Sequence, residues 1–351
     1  MYYFIECLRA LAVALITNSH FKGVYFTGWK SMDFLAFGGG NGVAIFFMIT
    51  GYLLGQIKPN TSFKKWYRKK IMMMYFPFLM FSALEFFLRL IGMVAEGINK
   101  SLDNGNLIIY TGLQMIEHME IEDWISVLLP LNYWFVYAMA ILYIVYYFYE
   151  NKIANRVKRG VLVTELTLIV VFLIWYILLD KSKGEVLLNP NPIMQITWFG
   201  CMLIGMQIRK NIADVNHNRK PMVWIALSIG CLIVFLFVKI CILKNNMQLQ
   251  ILLPVTYIGF AYGCFRLFMS FEDSCKKLLT SESGISKFVG RSINMISTAS
   301  VEIYYVQFMW IRLLKDIVFP FNWAILVVCI VVSAHMLHLF SVFMLNKASI
   351  Q

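Results

Sequence analysis

The chain has 351 residues, of which 60% are hydrophobic and only 14% are charged. Soluble domains carry charge on about a quarter of their residues, so this composition, with a mean hydropathy of +0.69, excludes an ordinary soluble enzyme and indicates a membrane protein. The formal net charge of +12 is better explained by basic cytoplasmic loops than by nucleic-acid binding.

Ten apolar runs are long enough to cross a bilayer, which predicts an all-α, polytopic membrane protein forming one domain over residues 1–351. The loops after the even-numbered runs and the C-terminal tail hold 20 basic residues, whereas the opposite loops hold 8. The positive-inside rule therefore puts both termini in the cytoplasm. The first run lacks a basic leader and a small-residue cleavage site, so we expect it to be retained. The predicted spans are 2–20, 35–57, 71–94, 131–149, 161–180, 193–208, 221–243, 249–269, 293–314 and 323–345.

The first span carries three ionisable residues, Glu6, Arg9 and His20. Such a group at membrane depth costs about 3 kcal/mol on insertion scales, which favours a functional role. Arg9 and His20 are eleven positions apart, or three helical turns plus roughly 20°, so both leave one face about 16 Å apart. Glu6 lies one turn before Arg9 and is predicted to pair with it.

Two further carboxylates lie in predicted spans. Glu302, in the ninth span, costs free energy to bury unless it faces a polar cavity or a cation. Its position fits a structural pairing with Arg89 or Arg9 and a role in the chemistry equally well. Glu85 precedes Arg89 by four positions, which favours a structural ion pair. Lys239 lies near the outer end of its helix, where a lysine can snorkel, and is assigned no role.

Three other segments each allow two interpretations. The densest basic run, Ser62 to Lys70, serves topology and anionic-lipid attraction or gathers the phosphates of a donor. The acidic connection 95–130 holds interfacial or re-entrant pieces, or is a solvated loop. The glycine-rich stretch Phe37 to Gly42 permits close helix packing or a flexible entrance, or binds phosphate.

Familiar soluble-enzyme motifs do not occur in the sequence. GxSxG, HExxH and GxxxxGK[ST] are missing, so serine hydrolase, zincin and P-loop ATPase interpretations have no support. The seven cysteines show no CxxC spacing and most lie in apolar runs. We expect buried small apolar residues rather than disulfides or a metal site.

Arginine, ten residues and then histidine, as in Arg9 and His20, resembles the first-helix signature of the integral-membrane acyltransferase 3 family. Its members include O-acetyltransferases of bacterial surface polysaccharides. The sequence departs from the family pattern at two places. Gln307 stands where relatives often have a late histidine, and Met73 or Met74 stands where they often have a second basic residue before the proline. Four further stretches resemble the family's patterns in order: Gly40 to Leu54, the basic segment ending at Pro77, Leu131 to Tyr143, and Ser300 to Phe308.

The resemblance implies an enzyme of the bacterial cytoplasmic membrane that moves acetyl from acetyl-CoA to a hydroxyl of a cell-surface polysaccharide or lipid-linked glycan. Acyl-CoA is then a substrate, no tightly bound cofactor or metal is expected, and membrane lipids surround the protein. Two rival hypotheses remain: a transporter or flippase of a lipid-linked sugar or acylated anion, and a non-catalytic accessory subunit. The oligomeric state stays open. The predicted catalytic residues are His20 and, second, Glu302, and those for the donor are Arg9, Glu6, Arg68, Lys69 and Lys70.

Overall fold

A computed structural model describes residues 2–25, 32–55, 61–103, 133–154, 160–179, 191–211, 220–239, 250–314 and 317–347, without the side chains of residues 33 and 89–103. Over these residues the chain is all-α, with twelve α-helices and no strand. The helices are α1 (Tyr3–Ser19), α2 (Gly39–Leu54), α3 (Phe63–Asp103), α4 (Trp134–Tyr149), α5 (Gly160–Leu178), α6 (Pro192–Lys210), α7 (Pro221–Phe237), α8 (Leu252–Ser270), α9 (Glu272–Leu279), α10 (Gly284–Thr298), α11 (Ser300–Leu314) and α12 (Phe321–Lys347).

Each predicted span coincides with a helix, and the ninth, 293–314, is divided between α10 and α11. Within the described residues, four stretches are long and apolar enough to cross a membrane: 63–88 of α3, and the helices α5, α8 and α12. The prediction of an all-α membrane protein is confirmed. The count of ten crossings, the single domain and the cytoplasmic termini stay predictions. Of the acidic connection 95–130, the first part continues α3 and residues 104–130 lie outside the described chain.

Helix α3 is longer than the predicted span because it begins inside the basic run, and it continues through Pro77. A proline removes one N–H from the helical ladder and leaves a carbonyl of the preceding turn without its usual donor. The carbonyl left without a donor is that of Met73, and the Tyr305 hydroxyl of α11 donates to the adjacent Met74 carbonyl at 2.9 Å. This contact ties α3 to α11 at the weak point of the helix.

Helices α2 and α6 meet through glycines. A Cβ on Gly51 would lie 1.9 Å from the Met202 carbonyl oxygen, and one on Gly205 would lie 2.0 Å from the Met48 carbonyl oxygen. Small residues let helix backbones approach this closely, which is how membrane helices gain packing energy. The α2–α6 contact therefore fixes the frame on which α1 rests.

The start of α1 is held by Glu272, the first residue of α9. Its Oε1 accepts from the Tyr3 backbone N–H at 3.1 Å and its Oε2 from the Phe4 N–H at 2.6 Å. The first N–H groups of a helix lack partners inside it, and a carboxylate there also complements the helix dipole. This distant cap fixes the position of the helix that carries Arg9 and His20.

Candidate active site

Helix α1 presents Arg9 and His20 to one partner, the broken helix formed by α10 and α11. The break lies at Ala299, whose backbone leaves the helical conformation (φ −93°, ψ 23°). Arg9 contacts Ser297 just before the break, and the ring of His20 packs edge-on against Phe308 beyond it, with centroids 4.8 Å apart. In membrane proteins, interrupted helices occur where backbone is buried in protein or lines a cavity.

Arg9 belongs to a polar cluster of three side chains. Its Nη1 donates to Glu6 Oε2 at 3.1 Å, so the predicted pair is present, and lies 3.5 Å from Ser297 Oγ. The fully buried Ser297 hydroxyl donates to the same Glu6 oxygen. Among the described residues nothing accepts from Nε or Nη2 of Arg9. The guanidinium is thus held through Nη1, and its other N–H groups can donate to a carboxylate or a phosphate.

His20 follows α1 directly and lines a cavity of about 260 Å³. Four side chains with hydroxyl groups also line this cavity: Thr17, Ser19, Ser300 and Tyr304. No carboxylate side chain of the described residues lines it. Within the described chain no group donates to or accepts from either ring nitrogen of His20. The imidazole is therefore available to a molecule in the cavity.

The N-terminus of α2 forms another part of the cavity wall through Gly39 and Gly40. A Cβ on Gly39 would lie 2.5 Å from Ser19 Oγ, and one on Gly40 would lie 2.5 Å from the ring of Tyr257. Only glycine lets the chain pass so close to both neighbours. The first N–H groups of a helix have no intrahelical acceptor and sit at the positive end of its dipole. This wall of the cavity therefore favours negative charge.

Asn18 fastens the turn before α2 to the end of α1. Its Nδ2 donates to the carbonyls of Leu35 and Phe37 at 2.7 Å and 3.1 Å, and its Oδ1 accepts from the Tyr25 hydroxyl. Gly38 then turns the chain into α2 with a φ of 98°, a conformation that favours glycine. The glycine-rich stretch thus places the α2 N-terminus beside His20.

The predicted donor-binding residues of the basic run lie on different faces of α3. Arg68 and Lys69 are exposed, whereas Lys70 is partly buried. Lys70 shares a helix face with Trp66 and Met74, since residues four apart lie above one another. The run is therefore not a uniform basic surface: one of the three candidates faces the helix bundle.

The inward face of α3 packs against α4. Trp66 packs edge-on against Tyr143 of α4, with ring centroids 5.9 Å apart, and Tyr143 lies within electrostatic reach of Arg9. Lys70 is one turn beyond Trp66 on that face. Among the three basic candidates, Lys70 is the one on the face of α3 that packs against α4.

Glu302 is nearly fully buried in α11 and its Oε1 lies 2.9 Å from Nδ1 of His338 in α12. The expected partners were Arg89 and Arg9. Arg9 is instead paired on its own helix, and the side chain of Arg89 lies outside the described residues. The residues on either side of Glu302 line the cavity but Glu302 does not, because successive helical residues point about 100° apart. The structure therefore brings His20 and Glu302 to different sides of α11.

Glu85 joins α3 to α11 by binding Arg312. The i, i+4 spacing predicted a contact with Arg89, which falls on a side chain outside the description. The partner from α11 has no local sequence signal, since it comes from 227 positions away.

Three contributors were not found by sequence reasoning. Lys239 lines the cavity but has the position of a snorkelling lysine. His338 binds Glu302 from another helix, and Ser297 completes the Arg9 cluster from 288 positions away. For each of them the only signal in the sequence was a polar residue within a predicted span.

No group of three or more His, Cys, Asp or Glu side chains that could hold a metal ion lies together in the described part of the chain. The six cysteines within it are free thiols. The candidate site consists of His20, the α2 N-terminus and the Arg9 cluster.

These features define a class of protein: a helical membrane protein in which one helix carries a cation in a polar cluster and, at its end, an imidazole that lines a cavity. Residues 2–335 match the family described as the acyltransferase domain, acyltransferase 3. The match covers essentially the whole chain, so the chain belongs to the acyltransferase 3 family and is a membrane acyltransferase. No curated protein matches the chain, and no solved structure matches it.

Proposed function

We propose that this acyltransferase moves acetyl from acetyl-CoA to a hydroxyl of a cell-surface polysaccharide or a lipid-linked glycan in the bacterial cytoplasmic membrane. The observation that carries the proposal is the imidazole of His20, which has no hydrogen-bond partner among the described residues and lies in the wall of a cavity of about 260 Å³, at the end of the helix that carries Arg9. A general base needs a free ring nitrogen where a hydroxyl can reach it. A donor that carries phosphates needs a cation to bind them, placed some distance from the base.

The donor's phosphates bind at the Arg9 end. Arg9 has donors that no described residue accepts from, in a fork suited to phosphate, and Glu6 and Ser297 hold that fork in place. Lys70 adds a second cation from the inward face of α3, while the exposed Arg68 and Lys69 attract the anion at longer range. Arg9 and His20 are about 16 Å apart along α1, a separation that the extended pantetheine arm spans.

The transfer takes place at His20. A ring nitrogen accepts the proton of the acceptor hydroxyl as its oxygen attacks the thioester carbonyl. The oxyanion of the tetrahedral intermediate faces the N–H groups of Gly39 and Gly40. Its collapse breaks the C–S bond, and the imidazolium returns its proton to the departing CoA thiolate. A two-step route through an acyl-imidazole uses the same residue as nucleophile.

A transporter that moves an anion without chemistry is the second candidate, because the Arg9 cluster and the basic run also fit an anion pathway. In a transporter or an accessory subunit the His20 imidazole performs no proton transfer. Label transfer from the donor therefore separates the enzyme from both alternatives.

The test uses inverted membrane vesicles of the native host, given acetyl-CoA labelled in its acetyl group. Label in glycan or lipid-linked material is followed for wild type, His20→Ala and Arg9→Gln. The matched controls are His335→Gln, outside the cavity lining, and Arg266→Gln, whose guanidinium packs 4.6 Å from the Trp224 ring centroid. We expect His20→Ala to abolish transfer, Arg9→Gln to raise the donor concentration needed, and both controls to transfer normally. Equal transfer by all variants, or none by wild type while glycan export still needs the protein, would overturn the proposal.

A further inference from the structure

The charge of the His20 cavity indicates the chemistry of the acceptor. Lys239 and His20 are the ionisable residues with basic side chains in its described lining, and no carboxylate accompanies them. We propose that the acceptor glycan carries a negative charge, a carboxylate or a phosphate, which Lys239 binds while a neighbouring hydroxyl meets His20. This inference rests on the proposed function and names the substrate class of the same site.

Lys239 follows the end of α7, and its side chain is exposed at the cavity wall. Its Nζ lies 5.9 Å from the ring centroid of Phe235, which also lines the cavity. No carboxylate of the described residues forms a salt bridge with it. A lysine that only snorkelled would reach solvent or headgroups, but the side chain of Lys239 lines the cavity and its ammonium group has no salt-bridge partner among the described residues.

An ammonium group without a partner is a compact, strongly hydrated charge that suits carboxylates and phosphates. Hydrogen bonds between ionised groups are roughly twice as strong as neutral ones. The α2 N-terminus adds partial positive charge on another wall. The described lining thus attracts anions and repels cationic acceptors.

The rest of the lining suits a sugar ring. Small-molecule sites are mostly apolar and aromatic, with a few polar groups that fix orientation. A volume of about 260 Å³ admits one end of a glycan rather than a long stretch of it. The aromatic residues in the lining are Phe46, Trp134, Phe135, Phe235, Tyr257 and Tyr304.

The donor's phosphates are the rival source of negative charge at Lys239. The proposed function puts them at Arg9, about 16 Å from His20 along α1. If Lys239 binds the acceptor, its removal changes the acceptor concentration required and leaves the acetyl-CoA requirement unchanged. If it binds the donor, the reverse holds.

The experiment uses the purified full-length protein in nanodiscs with labelled acetyl-CoA. The acceptor probe is glycan and lipid extract of host cells lacking the protein, separated by anion exchange into retained and unretained fractions. Portions of the retained fraction are either reduced at their carboxyl groups or stripped of phosphate. Wild type is compared with Lys239→Gln, with Lys239→Arg, and with Lys220→Gln at the opposite end of α7 as the matched control.

We expect wild type to label the retained fraction, and one of the two treatments to remove its activity as an acceptor and so identify the anion. Lys239→Gln should raise the half-saturating concentration of that fraction about 10-fold, as loss of a charge-assisted hydrogen bond implies. The KM for acetyl-CoA and the maximal rate should stay unchanged. Lys220→Gln should match wild type, and Lys239→Arg, which keeps the charge, should raise the half-saturating concentration less than Lys239→Gln does.

Three results would overturn the inference while the proposed function stands: label mainly in the unretained fraction, an unchanged acceptor requirement in Lys239→Gln, or a raised KM for acetyl-CoA instead. A wild type that labels neither fraction contradicts the proposed function itself, and the assignment of Lys239 falls with it.

Discussion

The two ends of α1 hold their ionisable groups in opposite ways. At the Arg9 end the guanidinium is bound by Glu6 and Ser297 before any ligand arrives. At the His20 end the described residues supply no hydrogen-bond partner for the ring, only the edge-on contact with Phe308. A group that binds a donor benefits from being held in advance, whereas a general base must keep a free nitrogen for the acceptor.

This difference separates binding from chemistry along a single helix. Changes at the Arg9 end should alter the concentration of donor required, and changes at the His20 end should alter the rate of transfer. The following predictions test that division, beginning with the largest effect.

Replacing His20 by Ala should lower the transfer rate by about 10²–10⁴-fold, the usual contribution of a positioned general base. The protein should stay folded because the ring is not hydrogen-bonded to the described chain. Added free imidazole should restore part of the rate in His20→Ala, where it can occupy the vacated space, but not in His20→Gln. Transfer of labelled acetyl measures the rate, and gel filtration shows whether the variant stays folded. A full rate in His20→Ala without imidazole would contradict the division.

Replacing Arg9 by Lys should raise the KM for acetyl-CoA by about 10-fold with little change in kcat, because lysine keeps the charge but loses the fork. Glu6→Gln should act in the same direction and more weakly, since Ser297 still contacts the guanidinium. Steady-state kinetics in nanodiscs provides both constants, with Arg266→Lys as the control. A fall in kcat at unchanged KM would place Arg9 in the chemistry instead.

The Glu302–His338 pair tests whether an ionisable group with a partner behaves differently from His20. His338→Ala leaves a buried carboxylate unpaired and should cost about 1–3 kcal/mol of stability. The double variant Glu302→Gln/His338→Ala removes that charge and should recover part of the loss, seen as the thermal unfolding midpoint in detergent. If Glu302→Gln abolishes transfer at unchanged thermal stability, Glu302 acts in the chemistry, as its sequence position allowed.

The sequence predicted the relations between residues of a single helix, but it did not predict the contacts between residues of two different helices. The relation of Arg9 to His20 follows from spacing within α1 alone, and the apolar runs located the helices. Ser297 and Glu272 reach α1 from 288 and 268 or more positions away, and no local spacing rule connects such residues. The place of Lys239 in the cavity likewise depends on how α7 packs against α8. Tertiary packing thus decided which polar residues became partners.

The smallest predicted effect concerns the basic run, where neighbouring lysines differ only in the face of α3 that they occupy. Lys70→Gln should raise the KM for acetyl-CoA several-fold, roughly 2–5-fold by the weak coupling expected of a partly exposed charge, because Lys70 shares the inward face with Trp66. Lys69→Gln removes the same charge from an exposed position and should have less effect at 0.15 M salt, where charges more than about 8 Å apart are screened. Raising the salt concentration should shrink the effect of Lys69→Gln before that of Lys70→Gln. Equal effects of both variants at every salt concentration would mean that the run acts as a diffuse basic surface and that only the Arg9 cluster forms a defined donor site.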